Sequence, residues 1–309
     1  MISGGRATLV RMGLLALLWG SSFLWIKLAL TGLSPIQIAV TRSALGAIVV
    51  LVLCYSQRHR LPTDRTVWGH LVFAAFFGNA LPFVLFAVGE RTVDTGIAGV
   101  LNATTPLWAL LIGIVIGSER GNLGPVRLGG LLLGFLGTLL IFAPWEKAGV
   151  ASWDALAILG AALSYAVSYA YIGRKISGRG TAPIALSAAQ LLTATGLTAV
   201  AVPVGGLQPV HLNATALIAV GILGVFGTGF AFALNYRLIA DEGATNATTV
   251  GYLLPVVSVL LGAVALGEQI TPRVIAGMLV VLVGVGMTRW QRKPVLVPIV
   301  PVPALAAKA

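Results

Sequence analysis

Ten apolar stretches, each about as long as an α-helix needs to cross a hydrocarbon slab roughly 30 Å thick, constrain this chain more than anything else in it. Bounded by Gly, Pro and charge, they predict helices near residues 9–30, 35–55, 68–89, 95–117 and 124–144, then 153–173, 183–204, 214–238, 244–266 and 270–290. No gap between them has room for a soluble domain. With 58% apolar and 9% charged residues, against roughly 25% charged in a soluble domain, the bilayer is the solvent and a constitutive partner.

The net charge of +11 does not describe a nucleic-acid binder, because the Lys and Arg residues sit in short gaps and not on one water-facing surface. The single cysteine, Cys54, leaves no internal disulfide and no Cys-based metal site. His59, His70 and His211 fall in or beside loops, so no metal and no cofactor is expected. The first apolar run, preceded by Arg6 and Arg11, continues through Trp19, Phe23 and Trp25 without a small-residue cleavage site, which marks a retained anchor over a signal peptide.

Basic residues alternate between gaps. The amino terminus, the even-numbered gaps and the carboxyl tail hold most of them, among them Arg58, Arg60, Arg65, Arg120, Arg127, Arg174, Lys175, Arg237 and Arg292, whereas the odd gaps offer Arg91, Lys147 and Arg273. The positive-inside rule then predicts both termini in the cytoplasm of a multi-pass inner-membrane protein.

The sequence also repeats itself. Pro106, Gly113 and Glu119 in one segment answer Pro255, Gly262 and Glu268 in another; Gly78 precedes Pro106 as Gly227 precedes Pro255. Pro125, Gly130 and Gly137 answer Pro272, Gly277 and Gly284, and Pro35 and Arg42 are spaced like Pro183 and Gln190. Each half holds five helices, and because five is odd the second copy enters the membrane from the other side. The expected fold is an all-α membrane protein with ten transmembrane helices in two inverted five-helix repeats: residues 1–8 as a cytoplasmic terminus, 9–144 and 153–290 as repeats, 145–152 as linker and 291–309 as a Pro-rich cytoplasmic tail. Inverted repeats that exchange conformations open a central site to either face in turn, which implies transport by alternating access.

Several of these residues resemble a known family. WGSSF at 19–23, the Pro-led helices closing on GSE (117–119) and LGE (266–268), and Arg42 are similar to the EamA-type, ten-helix branch of the drug/metabolite transporter superfamily. The resemblance implies a cavity lined chiefly by helices one, three, four, six, eight and nine, with five and ten peripheral, and export or exchange of small metabolites such as amino acids. Tyr165 departs from the pattern, where a Trp is common.

Candidate solute contacts follow from what lipid penalises. A charge inside the slab costs about 2.5 to 3.5 kcal/mol and usually faces a cavity or partner. Arg42, two turns into helix two, either binds a carboxylate or phosphate or ties helices together through backbone carbonyls; Gln190 is its uncharged counterpart. Lys27, nearer the helix end, either snorkels to headgroups or serves a gate. No Asp or Glu lies inside an expected span, which argues against proton-coupled export of cationic drugs. Glu119 and Glu268, at the unfavourable ends of helix dipoles, either pair with Arg, cap the neighbouring helix or gate.

Trp19, Ser22 and Phe23, with Tyr165, Ser168 and Tyr169 on the counterpart helix, are candidate cavity walls, the alternative being aromatic packing. Asn79, Asn102, Thr105, Asn235 and Tyr252 place polar groups beside helix breakers such as Pro106 and Pro255, where a freed carbonyl needs a partner; polar glue between helices is the competing role. Glycine rows in helices five and ten permit close packing, and internal duplication supplies both halves of a pathway, so a monomer suffices. The combined expectation is a non-enzymatic secondary transporter that exports or exchanges small metabolites, with amino acids or related carboxylates preferred. The alternatives are a sugar-phosphate or nucleotide-type metabolite antiporter or importer, in which Lys27 would supply a second cation, or a scramblase or membrane enzyme.

Overall fold

A computed structural model describes residues 2–93, 95–117, 124–146, 152–178, 180–211, 213–266 and 270–289. Among them run ten apolar helices: α1 (Ala7–Ala29), α2 (Pro35–Ser56), α3 (Arg65–Gly89), α4 (Ile97–Val115), α5 (Pro125–Phe142), α6 (Trp153–Lys175), α7 (Pro183–Val200), α8 (Ala214–Glu242), α9 (Ala244–Leu261) and α10 (Pro272–Arg289). The first nine positions hold helices long and apolar enough to span a membrane, and the tenth is a shorter apolar helix. Helix three starts three residues earlier than the apolar run suggests, because Asp64 caps it by accepting from the Thr66 amide.

Local chemistry explains the starts. Proline opens α2, α5, α7 and α10, where its missing N–H goes unneeded and its fixed φ suits the first turn. At α2, Ser34 and Gln37 form a reciprocal capping box. Asn213 and Ser152 cap α8 and α6 by accepting from the Ala216 and Ala155 amides.

Helix–helix packing shows the two repeats related by a pseudo-twofold axis. A Cβ placed on Gly130 of α5 would meet the Gly284 carbonyl oxygen of α10 at 2.7 Å, and one on Gly137 would meet the Gly277 carbonyl oxygen at 2.8 Å. Since Gly130 corresponds to Gly277 and Gly137 to Gly284, each contact is the other seen from the second repeat, the self-complementarity that a twofold axis imposes. Only glycine lets the α5 and α10 backbones lie this close. The rows are thus occupied by each other within one chain. Helices α2 and α7 form a second such pair.

Outside, Leu9, Ile48, Val52, Val115, Leu136, Leu279 and Val283 are exposed on helix faces. With no water in the hydrocarbon to satisfy polar groups, such a face belongs against lipid tails. Two polar clasps tie the ends of the bundle. At the end bearing residue 8, Thr8 Oγ1 donates to Glu242 Oε1 at 2.9 Å and Arg11 pairs with Asp241. At the opposite end Thr92 donates to Asp154 and Arg273 pairs with Glu146.

Candidate functional site

A cavity between the repeats is lined by residues that come in counterpart pairs. On α1 and α6 they are Trp19 and Tyr165, Ser22 and Ser168, Phe23 and Tyr169, Ile26 and Ile172, all at one constant sequence interval. On α3 and α8 they are Phe83 with Phe232 and Phe86 with Asn235; on α4 and α9, Asn102 with Gly251 and Thr105 with Leu254. The axis relating the repeats therefore passes through this cavity. Its free volume is about 80 Å³, and it lies between larger pockets of about 390 Å³ and 520 Å³ near the two ends of the bundle.

Four of the lining helices are irregular at matching positions. Helix α3 widens to a π-helix over Phe76–Ala80 and α8 over Val225–Phe230. Helix α4 breaks between Asn102 and Thr105, and α9 tightens to 3-10 over Thr249–Tyr252. The breaks follow from Pro106 and Pro255, which deny an α-helical N–H to the carbonyls of Asn102 and Gly251 one turn earlier. Both of those residues line the cavity. Irregular backbone is tolerated at membrane depth where it faces protein or a wet cavity, and discontinuous helices at a repeat interface are where carriers hold solute.

The π turns bring polar side chains toward α2 and α7. Arg42 Nε donates to Thr228 Oγ1 at 3.1 Å, and Gln190 Nε2 donates to Asn79 Oδ1; because Thr228 and Asn79 are counterparts, the two bonds are one bond repeated. Tyr236 completes the second set by donating to Gln190 Oε1. Arg42 is only 4% exposed and its guanidinium carbon stands 3.7 Å from the Phe83 ring centroid, a cation–π contact that offsets part of its desolvation. Nε makes its only hydrogen bond among the described residues, and no carboxylate pairs with it within salt-bridge distance. The arrangement is a positive charge held by its neck with its terminal amino groups unclaimed.

The structure brings Trp19, Ser22, Phe23, Arg42, Asn102, Thr105, Tyr165, Ser168, Tyr169, Gln190 and Asn235 to this cavity. Several also pack: Trp19 meets Phe232 edge-on, Tyr165 stacks on Phe86, and Tyr169 donates to Asn235 Oδ1 at 2.8 Å. Pro106 is buried beside Gly251, and Pro255 is buried in α9 just after its 3-10 turn.

Other expected residues lie elsewhere. Tyr252 faces away from the cavity and packs, fully buried, on Gly134 of α5, because the 3-10 turn rotates it off the α-helical face. Asn79 stands behind Gln190 and outside the lining. Lys27 does not snorkel: its Nζ donates to the Glu90 carbonyl at the end of α3 at 2.7 Å. Arg42 bonds a side chain and not backbone carbonyls. His70 belongs to α3 itself and is bonded to the Tyr171 hydroxyl. Glu119 and Glu268 lie outside the described residues.

Glu90 is a buried ionisable residue that the sequence reading does not single out. It follows the last apolar residue of α3 and so reads as loop, yet it is 0% exposed. The lining residues Phe83, Phe86, Phe232, Thr248 and Gly251 were also missed, although applying the repeat interval to Asn102 and Asn235 points to Gly251 and Phe86.

Comparison with known proteins agrees with this architecture. Residues 9–143 and 152–290 each match the EamA-like transporter family. The chain belongs to that family. Among EamA-like relatives, the uncharacterised inner membrane transporter YedA of Escherichia coli (strain K12) is 29% identical over 302 residues, covering 93% of each chain. An uncharacterised transporter of Archaeoglobus fulgidus is 27% identical over 275 residues, 86% of this chain and 93% of its own length. YdfC of Bacillus subtilis, also named an uncharacterised transporter, is 27% identical over 275 residues, 88% of this chain and 87% of its own. A solved crystal structure with 20% identity superposes with a TM-score of 0.74 over 92% of this chain and 98% of that one, a likeness of fold. This EamA-like protein is thus a multi-pass inner-membrane transport protein built from two repeats.

Proposed function

We propose that the chain is an alternating-access carrier that exports or exchanges small carboxylate-bearing metabolites, amino acids foremost, with Arg42 as the anion anchor. The observation that carries this reading is the buried Arg42 guanidinium, which lines the cavity without a paired carboxylate. An uncompensated buried charge is costly, and a solute anion supplies the missing partner through charge-assisted hydrogen bonds. Asn102, Thr105 and Ser22 offer neutral donors and acceptors around it, suited to an amino or hydroxyl group of the same solute. That the cavity's described lining comes from one chain supports a monomer as the unit of transport, and the charge pattern of the gaps supports both termini in the cytoplasm.

A sugar phosphate fits less well. Its dianion wants a second cation, and Lys27 is spent on the Glu90 carbonyl outside the cavity lining. Purified protein in liposomes, screened with radiolabelled amino acids, 2-oxo acids and nucleobases with and without a pH gradient, tests the proposal. Carboxylate flux that Arg42→Ala abolishes supports it. Flux of nucleobases alone, or lipid flipping without solute flux, overturns it.

A further inference from the structure

At the end of the bundle away from residue 8, α3 finishes on a carboxyl group that nothing neutralises directly. Glu90 is 0% exposed, one residue beyond its span, and neither of its side-chain oxygens has a hydrogen-bond partner among the described residues. A carboxylate kept for structure is normally satisfied, because leaving a buried charged acceptor unpaired costs more than a hydrogen bond returns. Its surroundings are cationic. Lys27 of α1 and Arg42 of α2 both act on it electrostatically, and Lys27 is fixed there by its bond to the Glu90 carbonyl.

The remaining charged and titratable neighbours are accounted for. Asp154, at the start of α6 where that helix packs on Gly89, accepts from Thr92. Arg91 and His211 line the same outer pocket of about 520 Å³ as Lys27 and Glu90, so Glu90 sits at the edge of a polar recess at the bundle's end. Burial pushes the Glu90 carboxyl well above the usual carboxylate range, and Lys27 and Arg42 pull it back. Two opposed influences of this kind leave the proton's residence to whatever changes the nearby charge.

We propose that Glu90 is an exchangeable proton site coupled to anion occupancy of Arg42. When a solute carboxylate docks on Arg42, it cancels part of the positive field that favours ionised Glu90, so the carboxyl group takes or retains a proton exchanged with water in the outer pocket. The solute and one proton then occupy the carrier together, and both leave together when it reopens. Linkage makes the effect reciprocal: protonating Glu90 tightens anion binding by the same factor. Net flow of the anion therefore follows the summed pH and solute gradients: a pH gradient draws it from the acid side, an excess of solute inside sends it out with its proton, and one-for-one exchange runs without a gradient. The inference rests on the reading of Arg42 as anion anchor.

Two measurements separate this inference from that reading. The first needs no solute: infrared difference spectra of the purified protein across a pH titration should contain the carbonyl stretch of a buried protonated carboxylic acid. Glu90→Gln should remove it, and Lys27→Met should move its midpoint upward by about one pH unit, because a cation that favoured the ionised form is gone. A carboxylate that stays ionised throughout would show neither change. The second uses liposomes and two probes, pyruvate and L-alanine. For a probe that the wild-type protein carries, Glu90→Gln should keep exchange and lose accumulation driven by a pH gradient, whereas Arg42→Ala should lose both. Accumulation that persists in Glu90→Gln, or an infrared band that Glu90→Gln leaves in place, overturns the proton site. Wild-type protein that carries neither probe counts against the anion reading, with the infrared band still reporting on Glu90. Glu90→Asp, which retains a titratable group, should restore the band if Glu90→Gln fails for reasons of folding.

Discussion

At the scale of single residues, Arg42 concentrates the energetic argument. Its Nε anchors on Thr228 and its charge rests on Phe83, so the side chain is positioned before any solute arrives. Arg42→Ala should lower carboxylate flux by at least about tenfold, equivalent to about 1.4 kcal/mol, while folded yield by size-exclusion chromatography falls much less. Equal losses would make the residue structural. Arg42→Lys should not rescue, since an ammonium lacks the planar fork that bonds Thr228 and a carboxylate at once. Ser22 and Ser168, counterparts on the cavity wall, give a second check: in a Cys54→Ser background, cysteines there should react with water-soluble thiol reagents and be protected by a transported carboxylate. Ser22→Cys should react faster, because Ser22 is 7% exposed and Ser168 2%. Arg42 was legible in the sequence because lipid makes an intramembrane charge conspicuous. Glu90 was not, because hydropathy ends a helix at the first charged residue and cannot see Lys27 folding over it.

At the scale of elements, glycine and proline set the geometry. In α5 and α10 the contacts are backbone to backbone, so an added side chain has nowhere to go: a Cβ on Gly284 would lie 2.5 Å from the Gly134 nitrogen. Gly284→Leu should therefore destabilise the protein by about 1 to 3 kcal/mol or prevent its folding, read as a lower melting temperature in detergent. Gly286→Ala, on the same helix with open space around it, should leave the melting temperature within about a degree. The prolines announced the breaks in α4 and α9 from the sequence alone. The π turns in α3 and α8 carried no such warning, since Gly78 and Gly227 are compatible with an ordinary helix; the wider turn arises where α2 and α7 press against them and Arg42 and Gln190 reach for Thr228 and Asn79. The same tertiary adjustment in α9 turned Tyr252 out of the cavity and onto α5.

At the scale of the whole molecule, the clasps at the two ends are themselves related by the repeat. Thr8 corresponds to Asp154, and Glu242 falls beside the counterpart of Thr92, so a threonine–carboxylate bond joins α1 to α8 at one end and α3 to α6 at the other. Polar bonds near the surface contribute at most about 1 kcal/mol each, weak enough to break and re-form in a transport cycle. With Cys54 replaced, a disulfide between cysteines at 8 and 242, or at 92 and 154, should stop solute flux in liposomes, and reductant should restore it. Flux that continues with either bridge closed would show that these ends do not separate. The amino-acid sequence by itself determined the solvent, the number of crossings and the inverted duplication, because hydropathy, charge alternation and repeated Pro and Gly are written along one dimension. Only the tertiary structure decided which polar groups meet: the pairing of Arg42 with Thr228, the withdrawal of Tyr252 and the burial of Glu90 beneath Lys27 depend on contacts between segments far apart in the chain, and a helix's own sequence does not encode which neighbour it will face.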